Sequence, residues 1–175
     1  MKKQSKILLL GILAGTLISL SVQADNSFNA GFPDTAWDGI NVPTGQQCQK
    51  FGGKPSTPAL SVNGIPSGAN LLVMEYSDKT YKKMDDGGHG KIGYALNGGG
   101  DSAQVPSIPG HSFDLPSGFF LVAAHRAPKW DKAGAYMPPC SGGKGNDYHL
   151  TVKAIKQDGE TSEVLAQTLV VLGKY

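Results

Sequence analysis

Hydrophobic and polar residues alternate over 148–154. Tyr148, Leu150, Val152 and Ala154 fall on one side, with His149, Thr151 and Lys153 on the other. That period of two is the mark of a strand with one buried face. A shorter alternation runs through Leu60-Ser61-Val62. Residues 70–78 form a nearly continuous apolar run until polarity returns at Ser77-Asp78, which reads as an interior strand, and residues 91–96 and 168–172 read as two further strands. Phe119 to Ala124 is expected to be a buried strand. Turn chemistry separates these runs at Asn63-Gly64 and at Asp158-Gly159. Residues 25–34, 79–90 and 97–118 read as irregular or looping. A single short helix is expected over Glu160 to Gln167, with Thr161 or Ser162 near its start. Strands joined by Pro/Gly connections, with little sustained helical period, predict a mainly β fold with minor α, in which sheets pack on one another.

Directly ahead of the alternating strand stands Tyr136-Met137-Pro138-Pro139-Cys140-Ser141-Gly142-Gly143-Lys144-Gly145. Proline fixes φ and lacks an N–H, while glycine opens conformations that other residues avoid. A constrained loop is expected here, and a rigid loop feeding a strand can hold polar groups over a cavity.

The first residues change the reading of charge. Met1 to Lys6 is a positive segment, Ile7 to Leu20 is apolar, and Val22-Gln23-Ala24 offers a small-residue cleavage site. Residues 1–24 are therefore expected to be a signal peptide, and residues 25–175 a single domain. The apolar run is shorter than the roughly 20 residues of a membrane span, so no transmembrane segment is expected in the mature chain. Removing Lys2, Lys3 and Lys6, and no acid, takes the formal charge from +2 to −1. Nothing in that balance points to nucleic acid. The expected location is the periplasm or the exterior.

Export gives the cysteines a meaning. Cys48 and Cys140 are the only two, in a compartment where disulfides persist. A bridge is expected, and a metal pair or a reactive thiol are the alternatives. No metal or other cofactor is expected. The spacings of His111, His125 and His149 match no ligand pattern. Ser141 lies in no nucleophile elbow, and Asp85-Asp86-Gly87 lacks the repeated oxygens of a calcium loop. The chain is accordingly not expected to be an enzyme.

Four blocks in order resemble the phosphatidylethanolamine-binding proteins, also called Raf kinase inhibitor-like proteins, in their exported bacterial branch. These are Asp38 to Pro43 with Pro58-Ala59-Leu60 and Asn63 to Gly68; Leu71 to Asp78; His89 opening a strand; and Tyr136 to Ile155. The tail Val164 to Leu169, with Gly173-Lys174-Tyr175, is similar as well. The resemblance implies a large antiparallel sheet packed on a smaller one, with a small anion pocket at one end. Its ligand would be a phosphate or a phospholipid head group. By the same resemblance the pocket would be lined by Asp78, His89, Tyr136, Pro139, Asn146 and Tyr148, with His89 and the Asn146 amide as anion donors. Each residue also has a structural reading. His89 would be an idle loop histidine, Asp78 a turn cap, Tyr148 a core residue, and Tyr136 and Pro139 loop scaffold. The sequence departs from the family pattern. Asp78-Lys79-Thr80-Tyr81-Lys82 lacks the prolines and second acid, Asn146 stands where a histidine is usual, and Ser141-Gly142 follows Cys140. Two functions are expected of such a chain. One is a non-enzymatic binding protein with a partly altered anion pocket. The other is a protein-interaction module, an inhibitor or effector, using the Lys79–Asp86 loop above a vestigial pocket.

Overall fold

The computed structural model describes residues 27–175. The expected signal peptide, residues 1–24, lies outside the described residues. Eight strands run in chain order: β1 (Asn29–Gly31), β2 (Leu60–Asn63), β3 (Leu71–Asp78), β4 (Gly90–Ala95), β5 (Ser102–Val105), β6 (Phe119–Ala123), β7 (Asp147–Asp158) and β8 (Thr161–Lys174). They form two antiparallel sheets. The small one has the order β1-β2-β5 and the large one β6-β4-β3-β7-β8. Among the described residues, helical structure is confined to two short 3-10 turns, Gln49–Phe51 and Lys82–Met84. No described helix is long and apolar enough to cross a membrane.

The core follows from the alternation. Leu72, Met74 and Tyr76 on β3 pair with Ala154, Val152 and Leu150 on β7, and all six are buried. Leu60 and Val62 of the small sheet join the same cluster. One step further along this inner row, Asp78 stands opposite Tyr148. The period that buries the core thus carries a carboxyl and a phenol to the end of the same face. Cys48 and Cys140 are disulfide-bonded, 92 residues apart in the chain.

Three expectations are corrected. Residues 160–167 are not a helix: Glu160 lies in a turn, and Thr161 to Gln167 are the start of β8. Gly159, at φ 56°, opens a two-residue loop, and Asp158 pairs with Thr161 across it. A turn that folds the chain back against β7 gives each new residue a ladder partner, whereas a one-turn helix has to form its costly nucleus alone. Residues 119–124 are not buried. As β6 they form an edge of the large sheet, and Phe120, Leu121 and Val122 are 37%, 45% and 47% exposed. β1 and β5 form in segments that read as irregular. With three and four residues, they are too short for a period to show, and they exist by pairing with β2.

Candidate ligand-binding site

Where the inner row leaves the core, a cavity of about 490 Å³ opens, within the size range of small-molecule sites. Asp78 and Tyr148 reach it from paired strands, His89 from the residue before β4, and Asn146 from the end of the Pro/Gly loop.

Backbone crossings fix His89. Its N–H donates to the Tyr76 carbonyl at 2.9 Å, and its own carbonyl accepts from Met137 N–H at 2.8 Å. Gly90, at φ 122°, lies so near the 135–136 backbone that a Cβ would stand 2.0 Å from the Ala135 oxygen. Only glycine permits that approach. The ring is buried, edge-on to Tyr148 with centroids 5.3 Å apart. Its Nδ1 is 2.7 Å from the Met137 carbonyl. A carbonyl can only accept, which assigns the proton to Nδ1 and leaves Nε2 as an acceptor without a protein donor among the described residues. Burial pushes the His89 pKa down to about 4, although the Met137 carbonyl and the Asp78 charge pull the other way. At neutral pH the ring is uncharged.

Asp78 is buried and fully engaged on its protein side. One carboxylate oxygen accepts from Thr80 N–H at 2.9 Å and Tyr81 N–H at 3.0 Å. The other accepts from the Asn146 side-chain amide at 2.6 Å. Tyr148 accepts the Cys140 N–H at 3.1 Å, and burial raises its phenol to about 12. The phenol stays protonated and keeps an O–H to donate. The loop between Cys140 and Asp147 folds around one acceptor. Gly145 and Asn146 N–H both reach the Tyr175 carbonyl at 2.9 Å, and the Ser141 hydroxyl bonds the same oxygen. The opposite wall is clamped from outside. The Arg126 guanidinium donates to the carbonyls of Lys83, Asp85 and Asp86 at 3.4, 2.8 and 2.9 Å, and Lys79 pairs with Asp85 at 2.7 Å.

Four of the six residues expected at the pocket, Asp78, His89, Asn146 and Tyr148, therefore line one cavity. Tyr136 and Pro139 do not line it. Tyr136 is buried in the core against Tyr76, with ring centroids 4.6 Å apart, and its hydroxyl is buried without a partner among the described residues. Pro139 is scaffold, its carbonyl accepting from Cys48 N–H at 2.9 Å. The donor roles expected of two residues also differ, because the Asn146 amide is given to Asp78 and the His89 N–H to Met137. Sequence reasoning missed Met84, Met137 and Trp130 in the wall. Met84 offered a signal, being a lone apolar residue inside Lys82-Lys83-Met84-Asp85-Asp86 and yet buried. Trp130 donates its indole N–H to the Cys140 carbonyl at 3.2 Å and carries the Lys50 ammonium 3.3 Å from its ring.

No protein-family model matches the chain, and no curated protein matches it. Among solved structures it is similar to YbcL of E. coli, described as a new member of the mammalian PEBP family. The identity is 16% and the TM-score 0.54, over 87% of this chain and 98% of YbcL. It is also similar to CT736 of Chlamydia trachomatis, provisionally described as a phosphatidylethanolamine-binding protein homologue. There the identity is 18% and the TM-score 0.49, over 86% of this chain and 97% of CT736. The two antiparallel sheets and the near-complete coverage of YbcL say the same thing: this chain has the phosphatidylethanolamine-binding protein fold.

Proposed function

We propose that the protein is a non-enzymatic, exported binding protein that holds a small polar ligand in the cavity bounded by Asp78, His89, Asn146 and Tyr148. One observation carries this reading. His89 is 3% exposed, and its Nε2 is unpartnered at the cavity wall. An acceptor left open on a cavity by an otherwise buried ring is a place where a ligand donor can bond. The fold is consistent with binding, and the mixture of apolar wall and few polar groups is usual for ligand sites. The non-enzymatic part draws on the absence, among the described lining residues, of a nucleophile held by a base. The Ser141 hydroxyl is given to Tyr175, and both Asp78 oxygens accept backbone or side-chain N–H groups. Export draws on the leader-like residues 1–24, and the Cys48–Cys140 bond is in keeping with it.

The test is titration calorimetry on the full chain, expressed in an exporting host and purified as that host delivers it, with the disulfide intact. Phosphorylethanolamine, inorganic phosphate, hexylammonium and hexanol would be the probes. Saturable heat with at least one, lost in a folded His89→Ala variant, is the expected result. Heat with none of them from a folded protein overturns the reading. The interaction-module reading would then lead, favoured by the exposed apolar edge at Phe120, Leu121 and Val122.

A further inference from the structure

The charge of the ligand can be read from the buried carboxylate that faces the cavity. An oxyanion needs convergent donors, from cations or from a nest of free backbone N–H groups. Four of the loop amides that could join such a nest are spent inside the protein. Cys140 N–H goes to Tyr148, Lys144 N–H to Ser141 at 3.3 Å, and Gly145 and Asn146 N–H to the Tyr175 carbonyl. Two side-chain donors are spent as well, Asn146 on Asp78 and His89 on Met137, which leaves the Tyr148 and Thr80 hydroxyls as neutral donors in the lining.

Beside them stands a set of open acceptors. Asp78 offers a carboxylate, His89 the Nε2 lone pair, and Asn146 its amide oxygen. The three groups bonded to Asp78 all donate to it and all are neutral, so they orient the carboxylate and leave its charge unmatched. Among the described residues the ion pairs lie elsewhere, at Asp85, Glu75, Asp131 and Asp147. Asp78 is 4% exposed and, among the described residues, no cation pairs with its carboxylate, which is costly for a buried charge. Around it the wall is apolar, with Met84, Met137, Ala127 and Trp130. Trp130 does not supply the charge recognition, since Lys50 already stands over its ring. Lys144, the one lysine in the lining, is exposed at the rim, where water screens it.

Resting on the binding reading above, we propose that the cavity selects a small organic ammonium ligand, not an anion. Its N–H groups are shared between the Asp78 carboxylate and His89 Nε2, and its alkyl part lies on the Met84–Met137 wall. The uncharged His89 ring serves this arrangement, because an imidazolium would repel the ligand. Tyr148 adds an O–H able to meet a hydroxyl or ether oxygen on the same ligand.

The experiment compares four probes on the full chain, purified as above with its disulfide intact: hexylammonium, hexanol, hexanoate and inorganic phosphate. Hexylammonium is expected to bind at least tenfold more tightly than either hexanol or hexanoate, with phosphate weakest. Asp78→Asn, which keeps an oxygen for Thr80 and Tyr81, should reduce the preference for hexylammonium over hexanol at least tenfold. Lys144→Ala gives a second readout should Asp78→Asn not fold, and a two- to threefold tighter hexylammonium is expected. If phosphate or hexanoate binds more tightly than hexylammonium, or Lys144→Ala weakens hexylammonium, the ammonium assignment is overturned while the cavity stands as a binding site. If no probe binds the folded protein, the binding reading falls and this assignment falls with it.

Discussion

Two buried histidines separate the working end of the molecule from its scaffold. His89 and His111 are each 3% exposed, and in each the Nδ1 lies against a backbone carbonyl, Met137 at 2.7 Å and Lys132 at 3.2 Å. They part at the second nitrogen. His111 Nε2 accepts the Gln49 N–H at 3.2 Å and stands 3.2 Å from the Asp131 carboxylate, which itself lies 3.7 Å from the Cys140 sulfur. His125 completes that cluster, its Nε2 3.2 Å from the same Lys132 carbonyl. His89 Nε2 has no hydrogen-bond partner among the described residues and opens on the cavity. Burial is common to both rings, and leftover hydrogen-bonding capacity is what marks one of them for a ligand.

The largest blow to the scaffold side is loss of the bridge. Replacing both Cys48 and Cys140 by alanine frees a 92-residue loop, a loss of about 4–5 kcal/mol in the chain-entropy account. Calorimetric melting should show the midpoint falling by roughly 10–20 °C. A shift of a degree or two would mean that the strands alone hold the His111 cluster.

Acid attacks the other side. His89 has its folded pKa lowered to about 4 from 6.5, so the unfolded chain binds the extra proton first. Stability from this group is complete above about pH 6.5 and is lost as pH falls through 6.5 toward 4, by about 3 kcal/mol in all. Urea unfolding across that range should show the slope, and a folded His89→Gln variant should lack it. Asp78 and His125 also act on this ring, so the difference between variant and parent is the quantity to compare. An unchanged slope would place the acid sensitivity elsewhere.

Removing His111 tests whether that ring is scaffold alone. His111→Ala strands the Gln49 N–H and takes a donor from the Lys132 carbonyl, at a cost of about 1–3 kcal/mol. Hexylammonium affinity of the folded variant should change less than twofold. A tenfold change would erase the distinction drawn between the two histidines. The smallest effect is expected at Arg126, whose guanidinium bonds three carbonyls of the wall loop. Arg126→Ala should cost roughly 1 kcal/mol and speed proteolytic nicking between residues 79 and 88 more than global stability predicts. Equal protection would show that Lys79–Asp85 holds the loop unaided.

Much of the sheet was legible because burial imposes its period on the residues themselves. The alternation at 148–154 and the apolar run at 71–76 can be read without any partner, and both became central strands. Segments without that period could not be read. β1 and β5 are too short, and Phe119 to Ala123 reads as interior by hydrophobicity yet ends at an edge. Thr161 to Gln167 took its structure from the exposed edge of β7. At the site, Asp78 and Tyr148 could be expected together only through the family resemblance, while Met84 and Trp130 sit in loops whose path no local pattern records.

The sequence by itself determined the mainly β character, the Cys48–Cys140 pairing as its leading reading, and the inner face on which Tyr148 stands. These rest on local periodicity and on residue chemistry, which each residue carries wherever the chain goes. Only the tertiary structure decided which polar atoms are left over. Asn146 donates to a carboxylate 68 residues away, His89 to a carbonyl 48 residues away, and the Gly145 and Asn146 amides to Tyr175. Hydrogen-bonding capacity is consumed by whatever neighbour the fold supplies, so the character of this cavity emerges only when the chain has closed around it.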